Sequence, residues 1–170
     1  SPIKRAATEC TRCTCAKARQ RRRAMLIREW KFEDILALSA LEEQCFSTDR
    51  WNYRTFASCY ENSAFHGFVA VDGDEIIGYG GITVAADVAD IENILVAERF
   101  RRGGVGTKIL KKLTGCAFSA GAMEIFLEVR VSNTPAILMY LKSGFCGVYA
   151  RTRYYSDGED CLVMKLSAEK

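Results

Sequence analysis

The sequence predicts one α/β domain built on a mixed sheet, and three observations carry that expectation. First, the apolar period switches repeatedly between the alternation of strands and the three-to-four spacing of helices, in the order βααβββαβαββ. Second, 170 residues with 49% hydrophobic and 26% charged side chains suffice for one compact core without disulfide staples. Third, a glycine-rich turn joins a central strand to the following helix, as in α/β proteins that bind anions. No run of 18 uncharged apolar residues occurs, so neither a membrane span nor a membrane partner is expected.

The elements follow from the pattern in order. Met25 to Trp30 reads as a strand. Lys31 to Cys45 reads as a helix, with Phe32, Ile35, Leu36, Leu38 and Leu41 at helical spacing. Asp49 is the expected N-cap of a second helix, Trp51 to Tyr60. Phe65 to Val71 and Ile76 to Val84 are strands of a hairpin turning at Asp72-Gly73-Asp74-Glu75. Gly78, Gly80 and Gly81 in the second of these point to a bulge or a close backbone approach. Val88 to Val96 is a further strand, and the turn Glu98 to Gly106 feeds a helix from Gly104 to Phe118. Its expected buried stripe is Val105, Ile109, Leu110 and Leu113, with Lys108, Lys111 and Lys112 outward. Glu124 to Val131 alternates strictly, with Ile125, Leu127, Val129 and Val131 on one face and Phe126, Glu128 and Arg130 on the other. Ser132 or Asn133 caps a helix running to Leu141, with Pro135 in its first turn and Gly144 at its end. Phe145 to Tyr155 and Glu159 to Leu166 complete the set as strands around Ser156-Asp157-Gly158.

Charge divides the chain in two. Residues 1–24 hold eight basic residues against one acid, a charge of +7, which leaves −4 for the rest of a chain whose net charge is +3. Residues 1–24 are expected to be a disordered basic leader and 25–170 the folded domain. A transit peptide and a nucleic-acid-binding arm are the other readings of the leader, and a nucleic-acid partner is expected through the leader alone. Cys10, Cys13 and Cys15 cluster there without an obvious fourth ligand, and the single histidine, His66, lies in a strand, so no metal is expected. Cys45, Cys59, Cys116, Cys146 and Cys161 read as small core fillers of a reducing compartment, with Cys116 and Cys146 as buried thiols.

The chemistry concentrates in Arg101-Arg102-Gly103-Gly104-Val105-Gly106. Residues without bulky side chains let main-chain N–H groups converge on an anion, and the helix N-terminus behind them adds about half a positive charge. Such a turn suits a pyrophosphate. It is neither G-x-G-x-x-G nor a nucleotide P-loop, because Thr-Lys follows Gly106.

Arg101-x-x-Gly104-x-Gly106 resembles the R/Q-x-x-G-x-G/A motif of the GNAT superfamily of N-acetyltransferases. Asn93 to Val96, Leu127 to Asn133, Tyr140 to Phe145 and Arg153 to Asp160 with Met164 are similar to the corresponding runs of ribosomal-protein alanine N-acetyltransferases. The resemblance covers residues 25–167 in element order and is sharpest from Ile94 to Asp160. It implies the GNAT fold: a mixed central sheet flanked by about four helices, with a splay between the two central strands. It implies acetyl-CoA as co-substrate, with Ile94, Leu95 and Val96 beside the pantetheine arm and the Val96 N–H supporting the acyl oxygen. Arg101 and Arg102, Gly103, Gly104, Val105, Gly106 and Thr107 would hold the pyrophosphate, and Asn133 and Tyr140 would also touch coenzyme A. Glu128 matches the family's proton acceptor and Tyr140 its proton donor. Phe46 and Trp51, beside Cys45 on the first helix–helix connection, and Tyr154 and Tyr155 would wall the groove of a protein N-terminal peptide. A ribosomal protein beginning with alanine is the implied acceptor and the cytoplasm the implied location.

The residues are consistent with those roles and leave alternatives open. An α-amine has a pKa near ~8, so a base is needed at neutral pH. Glu128 shares its face with Phe126, which favours a raised carboxyl pKa, or it forms a surface pair with Arg130. Glu92, one strand over, is the alternative base. Asn133 and Tyr140 are seven residues apart and share a helix face. With no histidine near a cysteine, direct transfer is expected over an acetyl-cysteine intermediate. The alternative acceptors are a lysine, a polyamine or another small amine, and the alternative class is a non-catalytic acyl-CoA- or nucleic-acid-binding module.

Overall fold

The computed structural model describes residues 24–169. The expectations for the leader, including Cys10, Cys13 and Cys15, lie outside the described residues. The elements are β1 (Leu26–Glu29), α1 (Ile35–Cys45), α2 (Tyr53–Glu61), β2 (Phe65–Asp72), β3 (Glu75–Ala85), β4 (Val88–Val96), α3 (Val105–Ser119), β5 (Glu124–Arg130), α4 (Thr134–Lys142), β6 (Cys146–Arg151) and β7 (Cys161–Ser167). The seven strands form one sheet in the order β1-β2-β3-β4-β5-β7-β6. All neighbours are antiparallel except β4 and β5, which run parallel and are joined by the crossover through α3. This is the mixed α/β architecture expected, with four α-helices among the described residues.

Both sheet faces are covered, and each has its own core. On one face α3 buries Val105, Ile109, Leu110 and Leu113 against Ile82, Ile91, Ile125 and Leu127, while its lysines at 108, 111 and 112 stay exposed as expected. Gly80 permits this close packing, since a Cβ there would lie 2.6 Å from the Ile109 Cγ2 and 2.8 Å from the Leu113 Cδ1. On the other face α1 and α2 bury Ile35, Leu38, Leu41 and Phe56 against Val69, Tyr79 and Leu95. Each such fully buried side chain contributes roughly 1.5–3 kcal/mol.

Several local expectations give way to competing interactions. The N-cap of α2 is Asn52, whose side chain accepts the Thr55 N–H at 2.9 Å. Asp49 instead turns out of line with a φ of 54° and gives its carboxylate to Arg130 and Ser156. The first helix is preceded by a 3-10 turn, Phe32–Asp34, because the Asp34 carboxylate is bound by Arg28 at 2.8 Å and by the Lys31 N–H at 2.7 Å. β6 stops at Arg151, where the chain bends through Arg153 at a φ of 52°. Tyr154 and Tyr155 therefore sit in a loop, tied by their N–H groups to the Glu159 carbonyl, and β7 begins at Cys161. Val131 falls beyond the end of β5 and is exposed. Cys146 is exposed too, because it opens an edge strand whose six residues all face solvent. No described helix is long and apolar enough to cross a membrane.

The seam between β4 and β5 prepares the site. The two strands pair only from Val88↔Glu124 to Ile91↔Leu127. β4 continues to Val96 and β5 to Arg130, and past Ile91 and Leu127 they part. On the opposite edge of β4 the register to β3 slips between Ile91 and Asn93, leaving Glu92 in a bulge.

Candidate active site

The parted strands open into a cavity of about 950 Å³. β4 supplies Asp90, Glu92, Asn93 and Ile94, and β5 supplies Phe126, Glu128 and Arg130. α4 supplies Tyr140 with its cap Asn133. Two loops complete the wall: Phe46, Asp49 and Trp51 between α1 and α2, and Tyr154 and Tyr155 between β6 and β7.

Beyond the cavity, past the end of β4, the working groups are main-chain donors. The Ala97 N–H donates to the Ile77 carbonyl at 2.8 Å, so strand alternation turns the N–H groups of Ile94 and Val96 away from β3, toward the gap that β5 has left. Leu95 points its side chain into the α1–α2 core and is buried. Arg101 folds back, its Nε donating to the Val96 carbonyl at 3.0 Å, and so pins the turn to the end of β4. Arg102 and Gly104 both take positive φ, 63° and 81°. Six consecutive N–H groups, Arg102 through Thr107 with Gly103, Val105 and Gly106 between them, find no acceptor of good geometry among the described residues. α3 has no acid in its first turn and no side-chain cap. Unpaired donors at the positive end of a 15-residue helix are chemically suited to an anion such as a pyrophosphate.

Side chains build the cavity itself. Glu128 is partly exposed, with one oxygen 3.6 Å from Arg151 Nη1. The expected alternative pairing with Arg130 does not form, because Arg130 is engaged by Asp49, Asp157 and Glu159. Glu92 lies in the same cavity, its carboxyl pushed above the usual range by desolvation, with Asp90 and Glu128 adding repulsion. Asp90 is raised for the same reason, desolvation first and Glu128 second. Tyr140 is 7% exposed and lies near Phe145, ring centroids 5.8 Å apart. Its hydroxyl has no hydrogen-bond partner among the described residues, and burial pushes its pKa to about 12, so it remains a proton donor at any ordinary pH. Asn133 caps α4 through the Ala136 N–H at 3.3 Å and shares the cavity with Tyr140, as their spacing required. Tyr154 faces Glu128, which with burial raises its phenol to about 12.

Sequence reasoning missed Glu42. This carboxyl is fully buried on α1 and accepts hydrogen bonds from Asn93 Nδ2 at 2.8 Å, from the Trp51 N–H at 3.1 Å and from the Tyr79 hydroxyl. Burial drives its pKa up, against those bonds. It fixes Asn93 beside the β4 bulge and roots the Trp51 loop. The signal was present: Glu42 stands seven residues after Ile35 and four after Leu38, on the apolar stripe of the helix. In the sequence Arg130 presents itself only as a partner for Glu128, whereas in the fold its partners come from two distant loops.

Residues 28–145 match the model of the acetyltransferase (GNAT) family. The chain is 33% identical over 140 residues to a putative ribosomal protein bS18-alanine N-acetyltransferase of Bacillus subtilis, covering 81% of this chain and 92% of that one. It is 44% identical over 75 residues to an N-alpha-acetyltransferase of Sulfurisphaera tokodaii, 44% of this chain and 45% of that one. Among solved structures, the ribosomal-protein-S18-alanine N-acetyltransferase of Escherichia coli superposes with a TM-score of 0.79 at 28% identity, covering 86% of this chain and 95% of that one.

Proposed function

We propose a reaction for this chain from one premise: it belongs to the acetyltransferase (GNAT) family and is an N-acetyltransferase. The reaction we infer is transfer of an acetyl group to the N-terminal α-amine of a protein, with an alanine-initiated ribosomal protein as the acceptor. The observation that carries it is the cavity at the β4–β5 splay that Glu128 and Tyr140 line together, with the unpaired main-chain donors of the turn following the end of β4. Relatives named for alanine and N-alpha acetylation support the acceptor.

Acetyl-CoA supplies the acetyl group already activated as a thioester. The N–H fan of Arg102 to Thr107 binds the pyrophosphate, and Ile94 and Val96 offer their main chain to the pantetheine amides across the gap. The Val96 N–H faces the acyl oxygen as negative charge develops on it. Glu128, directly or through a water, takes the proton of the incoming amine, and Glu92 is the alternative acceptor of that proton. Tyr140 gives its proton to the departing sulfur, and its raised pKa keeps that proton in place until then. Phe46, Trp51, Tyr154 and Tyr155 wall the peptide groove. The acetyltransferase domain spans 25–170, residues 1–24 are a basic leader, no resident metal is required, and the cytoplasm is the working compartment.

The test is a steady-state assay with acetyl-CoA and three acceptors: a peptide with a free N-terminal alanine, the same peptide blocked and carrying an internal lysine, and spermidine. Turnover confined to the free alanine peptide is the expected result. Turnover on the lysine or the polyamine instead would move the acceptor while leaving the chemistry, and binding of acetyl-CoA without turnover on any acceptor would reject the peptide reading.

A further inference from the structure

Arg130 is the most heavily contacted cation among the described residues. Its Nη1 donates to both oxygens of Asp157, at 3.0 and 2.9 Å, and to Glu159 at 2.8 Å. Its Nη2 donates to Asp49 at 3.0 Å. The guanidinium also lies 4.0 Å from the centre of the Tyr155 ring. Asp157 and Glu159 belong to the β6–β7 loop and Asp49 to the α1–α2 loop, so one side chain joins segments 81 and 27 residues away. The link is doubled by Ser156, whose Oγ donates to Asp49 at 2.8 Å. Three carboxylates face one guanidinium, so neither loop can release it without leaving a loop carboxylate unbalanced.

These are the two loops whose aromatic residues wall the cavity, and Arg130 stands two residues after Glu128 on the same face of β5. The width of the groove and the position of the carboxylate are thus set on one strand. Asp49 is held in a left-handed backbone conformation at its end of the bridge, and Arg153 takes another at the start of the opposite loop. Such bends persist where neighbouring contacts over-determine them.

We propose that Arg130 is a positioning residue that clasps the α1–α2 loop to the β6–β7 loop and so fixes the width of the acceptor groove. In the proposed reaction it has no part in the proton transfers, which fall to Glu128 and Tyr140. The assignment of the groove to an acceptor peptide rests on the function proposed above, but the clasp itself does not.

The experiment uses the full chain with Arg130→Gln, Arg130→Lys and Asp49→Asn. Asp49→Asn breaks the bridge while leaving Arg130 its two partners on the other loop, so it serves if an Arg130 variant fails to fold. Hydrogen exchange is read at the amides of 46–52 and 152–160, with β4 as the internal control. Exchange is expected to quicken in both loops of Arg130→Gln and Asp49→Asn, and by less in Arg130→Lys, with β4 unchanged. In the acetylation assay, KM for the alanine peptide is expected to rise about fivefold, on the scale of one partly exposed ion-pair network, with KM for acetyl-CoA within twofold. Unchanged exchange in both loops overturns the clasp, as does an equal rise in both KM values. If no acceptor turns over at all, the peptide reading fails and the exchange result alone decides the clasp.

Discussion

The two parts of the candidate site, the turn before α3 and the cavity, are made of different material. In the turn the working groups are main-chain N–H donors, presented by consecutive residues. In the cavity they are side chains drawn from β4, β5, α4 and two loops, with Phe46 and Tyr155 lying 109 residues apart in the chain. Local backbone geometry is written in local sequence, because a turn needs particular residues at particular places. A groove assembled from distant loops is written in pairings that no short window contains. The first kind of site tolerates side-chain change and resists backbone change. The second kind behaves in the opposite way.

The largest effect that separates the two parts is expected at Glu128. Glu128→Gln should lower kcat by about 10²–10³-fold while leaving acetyl-CoA affinity near its starting value, measured by titration calorimetry. Tyr140→Phe should follow at about 10- to 100-fold in kcat, again without loss of acyl-donor binding. Loss of acetyl-CoA binding in either variant would erase the distinction between the parts.

The complementary change belongs in the turn. Gly104→Val forces a β-branched residue to a φ of 81°, at a cost of about 1–3 kcal/mol, and re-aims the N–H fan. KM for acetyl-CoA should rise about tenfold, with KM for the peptide little changed. Equal changes in both constants would show that the parts are not separable.

A smaller effect is expected at the root of the acceptor loop. The Glu42 carboxyl has a raised pKa, so the fold favours its neutral form. Its contribution to stability is therefore complete below the usual carboxylate range and is lost as pH rises through the folded-state value. Glu42→Gln cannot ionise and escapes that loss. Thermal melts should show the variant gaining on the native protein as pH rises from about 4 to about 8, within the ~1–3 kcal/mol scale of a buried polar group. Parallel melting curves across that range would rule out a strained carboxyl. The smallest effect is an absence of change. With Tyr140 raised to about 12, kcat should show no fall attributable to loss of the donor proton at alkaline pH below about 11. An inflection near 10 that Tyr140→Phe abolishes would contradict it.

The same contrast explains what the sequence reveals. Element order, the buried stripe of α3 and the alternation of β5 are periodicities, and each survives into the structure. The splay and the Glu128–Tyr140 constellation became legible through family resemblance, because neither the end of a strand pairing nor a meeting of β5 with α4 has a local signature. Asp49 shows the limit on the other side. By its position it is an ordinary helix cap, and only the folded chain brings Arg130 close enough to claim it and leave the cap to Asn52. The β6–β7 loop is a similar case: alternation suggests strand as far as Tyr155, but Asp160 accepts the Arg153 N–H at 2.9 Å and the chain leaves the sheet.

The short seam between β4 and β5 has a further consequence for how the protein comes apart. The sheet is two hydrogen-bonded ribbons, one of four strands and one of three, joined by four residue pairs. On the proposed reading, the pantetheine arm lies along β4 as a substitute strand just where the protein's own ladder stops. The acyl donor then works as a splint where the ladder stops, adding to the shared core under α3, and that added stabilisation varies with its concentration. A cell that depletes its acetyl-CoA would weaken this fold at its seam as well as idling the reaction.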